Sequence, residues 1–156
     1  MPHFLRRRIV DPIAGLLMQG ISPRAIALAV SIGLVVGVFP VLGTTTVLVT
    51  LAAFALRLNL IAIHAVHYAA TPLQILLIIP FVRVGEHLTG AEAQPLSVSE
   101  GLALIEQGVG AAIVALWEAI VHAVVGWLAI GPLALALIYL MSVKVLERVR
   151  PAGGPA

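Results

Sequence analysis

The chain has 156 residues, the length of one domain, and 61% of them are hydrophobic while only 10% are charged. With a mean hydropathy of +1.12 it lacks the roughly 25% of charged residues that a water-facing globular surface needs. The formal charge of +2 argues for membrane orientation and against a nucleic-acid footprint, and the absence of cysteine excludes disulfides and thiolate metal sites.

In chain order, residues 1–21 come first. Phe4-Leu5-Arg6-Arg7-Arg8 is a basic start, but Asp11 and Pro12 follow it without a small-residue cleavage pattern, so a secretory signal is not expected. Leu5, Ile9, Ile13, Leu16 and Leu17 fall on one side of a helical wheel, and Arg7, Arg8, Asp11 and Gln19 on the other. That pattern predicts an amphipathic helix lying on the membrane surface; an ordinary packed helix is the plain alternative.

Residues 22–148 read as one transmembrane domain. Ser22-Pro23 is an N-cap followed by a proline suited to the first helical position, and it opens an apolar run from Ala25 to Phe39. Pro40 and Gly43 break the run, and Thr44 to Leu56 resumes it. Each limb is about 15 residues, or roughly 22 Å of helix, against a hydrocarbon core of about 30 Å. The spacing predicts a re-entrant hairpin over 22–57, with two short tilted spans as the alternative. A spanning helix is expected over 60–83, kinked or broken at Thr71-Pro72, and a polar loop over 84–100. A short broken hairpin or helix over 101–118, interrupted at Gly108-Val109-Gly110, precedes a second spanning helix over 119–148. Gly131-Pro132 is expected to kink or restart that helix, and 149–156 reads as a disordered tail.

Charge orients these elements. With the N-terminal helix cytoplasmic, Arg6, Arg7, Arg8, Arg24, Arg57, Lys144, Arg148 and Arg150 share one side, and only Arg83 lies outside. The expectation is a multi-pass protein of the cytoplasmic (inner) membrane with both termini inside. The fold class is therefore an all-α integral membrane protein. After the amphipathic helix come two units, each a broken or re-entrant hairpin plus a spanning helix, in inverted orientation as in secondary transporters.

The stretch from Ser22-Pro23-Arg24, through Gly33, Gly37, Phe39-Pro40-Val41-Leu42-Gly43-Thr44-Thr45-Thr46 and Arg57-Leu58-Asn59, to Thr71-Pro72-Leu73 resembles a bacterial family of small polytopic membrane proteins. This is domain-of-unknown-function family two-zero-six-two. Thr71 stands where that family has asparagine before the proline, so no role for that amide is carried over. The resemblance covers about Ser22 to Glu86 by motif and the second half by layout. It implies distant similarity to the DedA superfamily, whose members have paired re-entrant hairpins and are implicated in lipid flipping or proton-coupled transport.

Three constellations are candidates for chemistry. At the hairpin tip, the N–H groups of Gly43, Thr44, Thr45 and Thr46 lack intrahelical acceptors and sit at the positive end of a helix dipole, which favours an anion; simple capping is the alternative. On the third apolar run, His64, His67, Tyr68, Thr71 and Gln74 share one helical face. They read as a substrate or proton path, or as interhelical hydrogen bonds that hold the bundle. Glu118 and His122, four residues apart, could relay a proton or join the other histidines around a metal; Trp117 and Trp127 read as interfacial anchors.

No nucleophile elbow, P-loop or dinucleotide fingerprint is present, so neither an enzyme nor a cofactor is expected, and no metal site is assigned. Gly33 and Gly37 form a G-x-x-x-G spacing for close helix packing. The reading is a small transporter or flippase-like protein for an anionic or lipid-phosphate substrate, coupled to protons and acting as a homo-oligomer among membrane lipids, with no nucleic-acid partner. A non-transporting scaffold or assembly factor is the alternative, and an intramembrane metal-dependent enzyme a third.

Overall fold

The computed structural model describes residues 22–93 and 116–149, with isolated positions at 99, 103, 106, 108 and 110. The expected surface helix over 1–21, the body of the second hairpin over 101–118, and the tail beyond Val149 lie outside the described residues. Those described form four α-helices and no strand: α1 (Pro23–Gly37), α2 (Thr45–Ala55), α3 (Leu60–Thr89) and α4 (Trp117–Val149).

Local signals set the helix starts. The Ser22 side chain accepts from the Ala25 N–H at 3.2 Å, with Pro23 in the first turn, and the Asn59 side chain accepts from Ala62 N–H at 2.9 Å to open α3. Between α2 and α3 the chain turns sharply through Arg57, a non-glycine residue in left-handed conformation at φ 53°. The Leu58 N–H returns to the Ala53 carbonyl at 2.9 Å and the Arg57 N–H to Phe54, the hydrogen-bond pattern of a Schellman C-cap.

Two expectations about length and breaks are corrected. The helix read as ending at Val82 or Arg83 runs on to Thr89, six residues into the expected loop, and stops at Gly90 in left-handed conformation. An i,i+3 ion pair from Arg83 to Glu86 at 2.8 Å ties the added turn. Neither Thr71-Pro72 nor Gly131-Pro132 ends its helix: α3 is continuous through Pro72 and Pro80, and α4 through Pro132. All three proline rings are exposed, so the missing N–H falls on an outer face and packing on the other face keeps each helix continuous.

The packing gives an alternating up-down-up-down bundle. Ala29 and Ile32 of α1 share a core with Val49 and Ala53 of α2 and with Ile63, which pairs the hairpin antiparallel. Gly33 faces Ile63 and Val66, and Gly37 faces His67 and Ala70, so α1 and α3 run parallel. A Cβ at Gly33 would stand 2.9 Å from the Ile63 carbonyl oxygen, which is why the G-x-x-x-G spacing is needed there. The most extensive contact is α3 with α4, antiparallel. There Gly85 lies on the His122 carbonyl and Gly126 on the Phe81 carbonyl, backbone against backbone.

Two consequences follow for position. Arg24, Arg57, Lys144 and Arg148 gather at one end of the bundle, and Arg83 lies toward the other. The α1–α2 break reaches only as far as Gln74, midway along the 30-residue α3. Among the described residues, α3 and α4 are the two helices long and apolar enough to cross a membrane; at about 1.5 Å per residue they are roughly 45 and 50 Å long. Only 28% and 11% of their most apolar windows is buried, whereas the core helix of a soluble protein would be mostly enclosed.

Candidate functional site

The site forms where the break between α1 and α2 meets the middle of α3 and α4. Proline and glycine open the break: Pro40 cannot extend α1 with an N–H, and Gly43 adopts φ 84°, a left-handed value suited to glycine. The end of α1 is tied by protein groups. Val38 N–H reaches the Leu34 carbonyl at 3.1 Å, Phe39 N–H the Val36 carbonyl at 3.0 Å, and the Trp127 indole N–H the Val35 carbonyl at 3.0 Å. Beyond the helix, the Gln74 amide donates to the Phe39 carbonyl at 2.8 Å. Gln74 is buried, and Phe39 stands edge-on to Trp127 with ring centres 5.0 Å apart.

The start of α2 is different. The Thr44 hydroxyl turns back to the Val41 carbonyl at 2.8 Å and gives no side-chain cap to α2. The first-turn N–H groups of Thr45, Thr46 and Val47 find no acceptor among the described residues. The two helix ends at the break thus differ: three of the last four carbonyls of α1, those of Leu34, Val35 and Val36, accept hydrogen bonds, whereas the first-turn N–H groups of α2, at the positive pole of its dipole, do not donate among the described residues.

Beside that donor end, two threonine–histidine contacts join α2 to α3. Thr46 Oγ1 lies 3.3 Å from His67 Nε2, and Thr50 Oγ1 lies 3.1 Å from His64 Nε2. Thr50 uses its single hydroxyl proton on the Thr46 carbonyl at 2.6 Å, so its oxygen must accept and His64 must carry its proton on Nε2. His67 is 2% exposed, and the Nδ1 atoms of His64 and His67 are buried without a partner. Tyr68 stacks on His64 with centres 5.8 Å apart, yet remains 60% exposed.

The structure therefore brings most of the expected site together and distributes its roles. Gln74 meets the break and His67 meets Thr46 in the first turn of α2, while His64 and Tyr68 continue the same seam one turn further along α2; Gly43 and Thr44 are exposed at the rim of the break, and Thr45 is buried. Thr71 sits one turn on, its hydroxyl 3.5 Å from the His67 carbonyl. Glu118 and His122 are not part of this cluster. His122 packs against Gly85, 18 residues and about 27 Å of helix beyond His67. No group of three or more metal-ligating side chains occurs among the described residues.

Two participants were missed from sequence. Thr50 carried a legible signal, since Thr46 and Thr50 are i,i+4 on α2 and match the i,i+3 histidines of α3. Trp127 was read as an interfacial anchor and is instead a donor inside the bundle, at the level of the break. An apolar run gives no sign of which carbonyl its indole will meet. Trp117, by contrast, is exposed.

Together these observations define, among the described residues, an all-helical arrangement in which a broken helical hairpin is set against two long apolar helices. Residues 7–152 match the family model described as an uncharacterised protein conserved in bacteria, DUF2062, and the chain belongs to that family. No curated protein and no solved structure matches it.

Proposed function

We propose that this chain is a multi-pass protein of the cytoplasmic membrane that moves an anionic or lipid-phosphate substrate past the hairpin break, as a small transporter or flippase-like protein. The membrane reading rests on the outer faces of the long helices. Leu128, Leu133, Leu137, Leu140, Met141 and Val145 of α4 are all more than half exposed, a surface suited to lipid. With the basic end inside, both termini are cytoplasmic, and α1–α2 is a re-entrant hairpin whose tip ends at mid-membrane. The likeness to the DedA superfamily rests on this layout and is part of the proposal.

The observation that carries the substrate class is the asymmetry of the break. The negative pole of α1, which would favour a cation, has its Leu34, Val35 and Val36 carbonyls already accepting hydrogen bonds, and no carboxylate lies among the residues of the break. An anion needs donors, and the α2 N-terminus offers them beside Thr46 and the buried His67. A proton taken up by His67 would add positive charge at the same place, which is the proposed coupling. A partner copy of the chain would shield the polar seam of Thr46, Thr50, His64 and Tyr68 from lipid.

The test uses vesicles reconstituted with the protein, following radiolabelled phosphate entry in one arm and translocation of fluorescent phosphatidylglycerol in the other. Thr46→Val should lower the active arm by at most about tenfold, the worth of one hydroxyl hydrogen bond. Thr46→Asp, at an exposed position, should abolish it by placing negative charge where the substrate's must sit. Parental flux in a well-folded Thr46→Asp protein would refute the anion site, and silence of both arms in the parent would favour the scaffold reading.

A further inference from the structure

A second feature lies at the basic end, away from the break. Ile26 and Val30 of α1 and Ile138, Met141, Ser142, Val145 and Leu146 of α4 line an open crevice of about 360 Å³. Its walls are almost wholly apolar, with Ser142 the one hydroxyl-bearing residue. Beside the lining residues in sequence, α4 carries Lys144 and Arg148, one turn apart on the helix flank next to Val145, and α1 begins with Arg24. All three are exposed, and none has an ion pair or side-chain hydrogen bond among the described residues. Glu147, the acid nearest in sequence, is i,i+3 from Lys144 and on the far side of α4 from Val145; it forms no ion pair with Lys144 among the described residues, and Arg148 is the cation turned nearest to the crevice.

We propose that this crevice is a binding site for one anionic phospholipid. An acyl chain lies between α1 and α4 from Leu146 inward to Ile138 and Val30, and the headgroup phosphate sits against Lys144 and Arg148 with Arg24 at the same level. The size falls within the roughly 300–1,000 Å³ of small-ligand sites. The two halves select different things: the apolar walls take any acyl chain, whereas the unpaired cations select charge. A zwitterionic lipid fills the crevice but brings its own cation into the cluster, so it binds less well. The proposal rests on the membrane placement and is independent of transport at the break.

Native mass spectrometry of the detergent-purified protein tests it, titrating phosphatidylglycerol and phosphatidylcholine with identical acyl chains. The parent should prefer phosphatidylglycerol, and replacing Lys144 and Arg148 together by alanine should weaken that lipid by about 30-fold, near fivefold for each cation. Ser142→Trp, which occludes the crevice, should weaken both lipids alike. Lys144 and Arg148 are exposed and their loss leaves the packing intact, so that pair decides the outcome should the tryptophan variant fail to fold. Equal affinity of the parent for the two lipids, or an unchanged preference in the Lys144/Arg148 variant, overturns the proposal. Release of the protein from native membranes by alkaline carbonate overturns the membrane reading and this site with it; retention with equal lipid affinities overturns this site alone.

Discussion

Replacing Gln74 by methionine tests the hydrogen bond that holds the break to α3. Methionine keeps the length and much of the volume of the side chain but removes the amide that donates to the Phe39 carbonyl at 2.8 Å. Gln74 is 3% exposed, so water does not readily replace the lost donor. A buried carbonyl left without a partner costs about 1–3 kcal/mol. For a chain of this size each kcal/mol lowers the melting temperature by about 2–4 °C, so the expected fall is roughly 2–12 °C. The break carries its own reporter, because Phe39 packs edge-on against Trp127. In a Trp117→Phe background Trp127 is the sole tryptophan, and its emission should shift as the break loosens. A Gln74→Met protein that melts with its parent and leaves the Trp127 emission unchanged would show that Gln74 does not hold the Phe39 carbonyl. The Phe39 carbonyl would then be an open acceptor at the break, which counts against an anion there.

Other expectations follow from backbone contacts and from the ends of the bundle. Alanine at Gly85 or Gly126 places a Cβ on a carbonyl of the facing helix, which has no rotamer by which to yield; each should cost about 1–3 kcal/mol in thermal unfolding, and a melt within a degree of the parent would refute the crossing. Arg57→Gly should instead raise the melting temperature by roughly 1–4 °C, worth about 0.5–1 kcal/mol, because it relieves a left-handed non-glycine residue at φ 53°; a lower value would mean that the arginine side chain contributes more than the strain removes. Single cysteines at Arg57 and Arg148 should label only from the cytoplasmic side and one at Glu92 only from outside, against a chain with no cysteine of its own. Labelling of Arg57 and Glu92 from the same side would overturn the proposed topology.

The sequence carried the helical architecture through punctuation and period. Ser22-Pro23 and the Pro40–Gly43 break act within a few residues of themselves, and the structure places helix ends at both. The α3 stripe was legible because a 3.6-residue period puts His64, His67 and Gln74 on one face whatever they meet. Termination was less legible. Pro72 and Pro132 look like breaks, but they sit on exposed faces of helices packed on their other sides, and that tertiary support is invisible along the chain. The continuation to Thr89 was hidden for a related reason, since Arg83 and Glu86 look like loop residues until their i,i+3 spacing is read as a helical ion pair. The candidate site was legible on one wall only. Which α2 threonine meets which histidine depends on hairpin register, and the role of Trp127 depends on a partner 92 residues away.

The crossing of α3 and α4 has a mechanical consequence. At Gly126 the two backbones touch with no side chain between them, and the next residue, Trp127, holds the last turn of α1 by its Val35 carbonyl. The fulcrum and the latch are therefore consecutive residues on one rigid rod. A slide or roll of α4 at the fulcrum reaches the hairpin through one side chain, the Trp127 indole. Gln74 fixes the same hairpin to α3 at Phe39, so the hairpin is strung between the two long helices like a pawl between two bars. Displacing either long helix therefore loads a hydrogen bond that holds the α1 side of the break.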